Sequence, residues 1–196
     1  MKMILILLAA ALCGFTPAAF AQTDSSAAAG LVNAAKSSSD SQLGDIASQL
    51  TGKVAKLESL LGTNSAIKDK LDSTLKSLTG GADSDALTSA FGLVKGAKLT
   101  PDQLGLAKQV GNLASAFVVQ RNFTSLEGAQ GDVATIVSSL REGKVTAAVP
   151  ALKNVATNAH LTDGQKQLIT TIADKYAPGW ENAKGAMDAV KKLPGF

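Results

Sequence analysis

Residues 99–110 read LTPDQLGLAKQV and residues 161–172 read LTDGQKQLITTI, so L-T-x-x-Q is written twice, 62 residues apart. Thr100 and Gln103, like Thr162 and Gln165, have capping-box spacing. The threonine oxygen accepts from the backbone N–H three residues on, and the glutamine side chain reaches back to the threonine N–H. Pro101 falls at the first helical position, where its missing N–H costs little. Leu99 and Leu161 stand just outside, placed to staple onto the helix that follows. Both motifs therefore predict helix starts.

The residues around them continue the helical reading. After Thr100, Leu106, Val110, Leu113 and Phe117 line one face; after Thr162, Leu168, Ile169, Ile172 and Tyr176 do the same. Upstream, Leu43, Ala47, Leu50, Val54, Leu57 and Leu61 alternate steps of four and three, a heptad seam in which Gly52 leaves room for a break or kink although the phase carries through it. Residues 62–64 (GTN) offer a glycine stop and an asparagine cap for a second helix carrying Ile67, Leu71, Leu75 and Leu78. Leu87, Phe91 and Val94 form a short stripe ended by Gly96. Val133, Ile136, Val137 and Leu140 make another, ended at Gly143. Val149, Leu152 and Val155 come next, with Pro150 tolerated near a helix start. Trp180, Ala183, Met187 and Val190 form the last. No alternating run bounded by hairpin turns is present. The expected fold is all-α, a bundle or stack of about seven to eight short amphipathic helices arranged as helical hairpins.

A shift of 62 residues lays residues 86–118 over 148–180 without a gap. It pairs Ala86 with Ala148, Leu93 with Val155, Ala97 with Ala159, Leu106 with Leu168 and Val110 with Ile172. An internal duplication is one reading, and coincidence between similarly patterned helices is the other.

The N-terminus predicts export. Lys2 precedes an apolar run, residues 3–15 (MILILLAAALCGF), and Ala19 and Ala21 occupy the small-residue positions of a cleavage site. Residues 1–21 therefore read as a secretory signal peptide, with a periplasmic or extracellular destination. Cys13, the single cysteine, is preceded by Leu12, where a lipobox requires Gly or Ala, and it departs with the signal. The mature chain then has no disulfide and no thiol, and about 175 residues suffice for one domain. Residues 22–40, rich in Ser and Ala, read as a flexible leader or a weak helix, and 41–196 as a single domain. No later segment is long and apolar enough to span a membrane; residues 113–119 (LASAFVV) are strongly apolar but short.

Composition removes several function classes. Without Lys2 the chain has 18 basic against 16 acidic residues, and Arg121 and Arg141 are its arginines. Scattered lysines without a clustered basic face argue against nucleic-acid binding. His160, the one histidine, falls on a loop and cannot assemble a zinc site without cysteines. No G-x-S-x-G elbow, P-loop or dinucleotide fingerprint occurs, and Asp83-Ser84-Asp85 lacks the rest of a calcium loop and reads as an acidic helix start. Lys68, Asp72 and Lys76, and Lys184, Asp188 and Lys192, read as charge ladders on exposed helix faces. Asn122-Phe123-Thr124 is a sequon that matters only where the host glycosylates. Tyr176 and Trp180 fit either core packing or an aromatic ligand-binding edge, with helical spacing favouring the core. The sequence therefore nominates no catalytic, cofactor-binding or metal-ligating residue, and expects no cofactor. The functional expectation is an exported, non-catalytic helical protein that binds or scaffolds a protein or other component of the bacterial envelope. Peripheral lipid association through amphipathic helices is the alternative, and an enzyme with an unrecognised carboxylate site the third reading.

Overall fold

Eight α-helices and no strand account for the regular structure of the described residues, 25–38, 40–95 and 98–178 of a computed structural model. In chain order they are α1 Ser25–Ser37, α2 Ser41–Leu61, α3 Ser65–Gly80, α4 Asp83–Gly92, α5 Pro101–Phe123, α6 Gln130–Arg141, α7 Val145–Ala156 and α8 Asp163–Tyr176. The fold is all-α. The signal-peptide reading of residues 1–21 and the Trp180–Val190 stripe lie outside the described residues.

Helix boundaries follow local chemistry. The heptad seam of α2 is buried along its length, from Leu43 to Leu61, and the helix runs through Gly52 without a break. Gly52 is exposed, so continuity costs only its propensity deficit of about 1 kcal/mol relative to Ala. Asp40 caps α2, its carboxylate accepting from Gln42 N–H at 2.9 Å and Leu43 N–H at 3.4 Å. Asn64 caps α3 through Ile67 N–H. Gly81 then ends α3 in the left-handed region, at φ 80°. Its N–H donates to Leu78 O, and Ala82 N–H donates to Ser77 O at 2.8 Å, the paired bonds of a Schellman motif. Both capping boxes exist as hydrogen bonds. Thr100 N–H donates to Gln103 Oε1 at 2.9 Å and Thr162 N–H to Gln165 Oε1 at 3.0 Å, with the reciprocal bonds to each threonine hydroxyl oxygen present.

Three expectations require correction. Residues 22–40 are not a flexible leader over their described part: 25–37 form α1, which packs on both α2 and α3. Alanine loses no side-chain entropy in a helix, and Ala27, Leu31 and Ala35 recur every four residues as a narrow buried stripe. Small residues allow close approach; the Cβ position of Gly30 lies 3.5 Å from Thr79 Cγ2. The second correction concerns α5, which is not one-faced. Every residue from Leu113 to Gln120 is buried, because α5 packs against α2, α3, α4, α6 and α8. A helix buried all round is the axis of a core. Third, Pro150 lies inside α7 as its sixth residue, not in the first turn. It is exposed, so water can satisfy the carbonyl that its missing N–H leaves unpaired. The buried stripe of α7 is Ala148, Ala151, Leu152 and Val155, with Val149 only half-buried.

Several contacts recur at an offset of 62 residues. Gly143 repeats the left-handed stop of Gly81, at φ 72°, and Lys144 N–H donates to Ser139 O at 2.8 Å as Ala82 does to Ser77. The capping glutamines also repeat a longer reach. Gln103 Nε2 donates to Leu60 O at 2.7 Å and Gln165 Nε2 to Asn122 O at 2.6 Å. Each tie joins the start of one helix to the end of another lying 43 residues earlier. The run α2–α5 is thus echoed by α5–α8, with α5 serving in both. The echo is imperfect: α1 packs between α2 and α3, whereas α6 lies directly on α5.

Candidate functional site

A cavity of about 450 Å³ with mostly apolar walls opens between α4, α5, α8 and the turn leading into α7. Its shape follows from two residues. Gly111, in the middle of α5, leaves the floor low: a Cβ there would lie 3.7 Å from Phe91 Cδ1. Phe91, at the end of α4, forms a wall and meets the Tyr176 ring edge-on, with centroids 5.9 Å apart and planes at 87°. Ala90, Val94, Ala107 and Val145 supply further apolar surface. The volume falls within the range of about 300–1,000 Å³ usual for small-molecule sites.

The polar groups divide into an inner relay and an outer rim. Inside, the Tyr176 hydroxyl donates to Asn112 Oδ1 at 2.9 Å and lies 3.2 Å from Ser115 Oγ, which itself donates to Gly111 O. Burial pushes the Tyr176 phenol well above its ordinary range, although the Ser115 hydrogen bond opposes this. The phenol stays protonated at all physiological pH values and acts as a fixed donor. Asn112, its Oδ1 engaged, retains amide donors at the cavity wall.

The rim is cationic. Lys108 and Lys175 line the opening, and the Lys175 ammonium sits 5.4 Å from the centre of the Phe91 ring. Partial burial lowers the Lys175 pKa, and repulsion by Lys95 and Lys108 lowers it further. Two lysines therefore line an apolar hollow, with Lys95 near enough to Lys175 to repel it. The cavity offers binding surface and directed donors; among the described residues that line it there is no carboxylate, histidine or thiol to move a proton or attack a substrate.

A second polar cluster is fully occupied by structural work. Asp83, buried at the start of α4, forms an ion pair with Arg121 and accepts from Asn122 Nδ2 at 2.7 Å. Arg121 Nη1 also donates to Leu78 O at 2.7 Å, and its guanidinium lies 5.0 Å from the Phe117 ring centre. The cluster fastens the α3–α4 turn to α5. Asn122 Nδ2 additionally donates to Val118 O at 2.8 Å, so a glycan on this sequon, which replaces one of the two amide hydrogens, would remove one of these internal hydrogen bonds.

The other residues singled out from the sequence stay apart. His160 is exposed on the loop before α8, with its N–H donating to Asn158 Oδ1 at 2.8 Å. Asp83 belongs to the acidic helix start, but its burial against Arg121 is not visible in the Asp-Ser-Asp spacing. Lys68 and Asp72 face Glu58 on α2: burial raises the Glu58 pKa, Asp72 raises it further and Lys68 opposes both. Tyr176 combines its two sequence readings, since its ring packs on Phe91 while the residue lines the cavity; Trp180 lies outside the described residues. Local patterning does not nominate Phe91, Lys108 or Lys175 as site residues. Gly111 is the available signal, a helix-weakening residue in the middle of the most extensively buried helix.

Among the described residues, no group of three His, Cys, Asp or Glu could hold a metal ion. No described helix is long and apolar enough to cross a membrane. Comparison with protein-family models, curated proteins and solved structures found no match.

Proposed function

We propose that this chain is an exported, non-catalytic helical binding protein that holds a small apolar-bodied ligand between α4, α5 and α8. The observation carrying this reading is the cavity itself: apolar walls, a glycine floor and donors fixed by the Tyr176–Asn112–Ser115 relay. The signal-like N-terminus supports export. Peripheral lipid association is less well supported, because Leu60 is the exposed large hydrophobic among the described residues and the apolar helix faces turn inward.

The test is uptake of a neutral naphthylamine fluorophore by the mature chain, followed by its emission. Val94→Trp, at a half-buried position beyond the end of α4, should fill the mouth and abolish uptake while leaving the melting midpoint unchanged. Absent uptake by the unmodified protein, or uptake indifferent to Val94→Trp, would overturn the reading.

A further inference from the structure

The chemistry of the rim differs from that of the walls, and the difference selects a ligand class. A purely apolar ligand would fill the hollow but leave Lys108 and Lys175 without a counter-charge. Lys175 is already penalised by Lys95 and Lys108, so an anion at the mouth gains their attraction and relieves their mutual repulsion. The inner end makes the opposite demand. Ala90, Phe91, Ala107 and Gly111 offer no charge, so the body of the ligand must be hydrocarbon or aromatic. Charge and apolar body therefore belong at opposite ends.

We infer that the cavity selects single-chain or single-ring monoanionic amphiphiles, holding the anionic head against Lys108 and Lys175 and the apolar body against Phe91 and Gly111. This deepens the binding function proposed above and rests on it. The size favours one chain over the paired chains of a bilayer lipid, which fixes the source as a free monoanion, of fatty-acid type or an aromatic carboxylate. Lys175 lies at the Phe91 face, where a bound carboxylate can share the ammonium without displacing it from the ring.

The experiment uses the full mature chain and three ten-carbon probes, decanoate, 1-decanol and decylammonium, each displacing the neutral fluorophore at low salt. Decanoate should bind at least about fivefold more tightly than decanol, the scale expected for partly exposed charge pairs, and decylammonium should bind most weakly. Added sodium chloride should erode the decanoate advantage, since the rim is solvent-accessible. The double variant Lys108→Gln, Lys175→Gln should bind acid and alcohol alike. Equal affinity for decanoate and decanol in the unmodified protein would overturn the charge selection while leaving the binding pocket standing. Displacement by none of the probes, with no fluorophore uptake, would remove both. Sedimentation with anionic phospholipid vesicles without decanoate binding would assign the rim to a membrane surface and overturn the inference. A dimer by light scattering that excludes every probe would assign the hollow to a second copy, with the same consequence.

Discussion

Replacing Gln165 with Glu separates two accounts of the L-T-x-x-Q motif. As a capping box alone, glutamate is as good as glutamine, since either side chain accepts the threonine N–H. A carboxylate in the first turn should even gain about 0.3–1 kcal/mol from the helix macrodipole. The observed geometry points the other way. Gln165 uses its Oε1 for Thr162 N–H and its Nε2 for Asn122 O, the latter at 2.6 Å and partly buried. The substituted carboxylate would keep the first bond and set its other oxygen against the Asn122 carbonyl oxygen. The lost bond is worth about 0.5–1.5 kcal/mol, and leaving an acceptor unsatisfied costs about 1–3 kcal/mol. The macrodipole gain offsets part of this, so a net loss of about 1–2 kcal/mol is expected, or roughly 2–8 °C in Tm for a chain of this size. Gln103→Glu should lose less, because its bond to Leu60 O is exposed. The same double duty sets the cost of removing the glutamine side chain altogether. Gln165→Ala should match or exceed Thr162→Ala, itself about 0.5–2 kcal/mol. Urea titration with an unchanged m value is the assay. A midpoint for Gln165→Glu at or above that of the unmodified protein would refute the cross-helix tie.

Two further predictions concern burial and charge. Leu31→Ala should cost about 2–5 kcal/mol, the range for a fully buried leucine, and denaturant titration should find almost no cost if residues 25–37 were a loose leader. Glu58→Gln should stabilise the protein at neutral pH. The folded-state Glu58 pKa lies above its ordinary 4.5, so the folded form holds the proton more tightly and stability falls as pH rises through that folded value. The advantage of the glutamine should therefore shrink as pH drops through the folded value and be lost below about 4.5, and a stability difference constant across the titration would refute the burial of this carboxylate.

What could be read from the sequence was set by periodicity and local caps. The seam from Leu43 to Leu61, the stops at Gly81 and Gly143, and both capping boxes are written in residues a few positions apart, and all are present. What escaped depends on neighbours distant in sequence. Alanine is ambiguous by composition: Ala27 and Ala35 resemble leader until α2 and α3 stand beside them. The stripe Leu106–Phe117 marks one face of α5, but Ser115, Val118 and Gln120 are buried only because other helices wrap the opposite side. The cavity was still less visible. Lys108 and Lys175 are 67 positions apart, and nothing in either local pattern says they meet at one opening.

The placement of α5 also constrains how the molecule can come apart. In repeat arrays each unit meets only its neighbours, and a terminal unit can fray while the rest stays folded. Here one helix ends the first half and begins the second, and from Leu113 to Gln120 it is buried on every side. Neither half can release its packing without stripping water-excluded surface from the other. The backbone amides of residues 113–120 should accordingly exchange with solvent only when the whole molecule opens, while α1 and the end of α8 exchange through smaller openings. A chain built of echoed hairpins would then melt as a single unit, its cooperativity residing in the one element that both halves share.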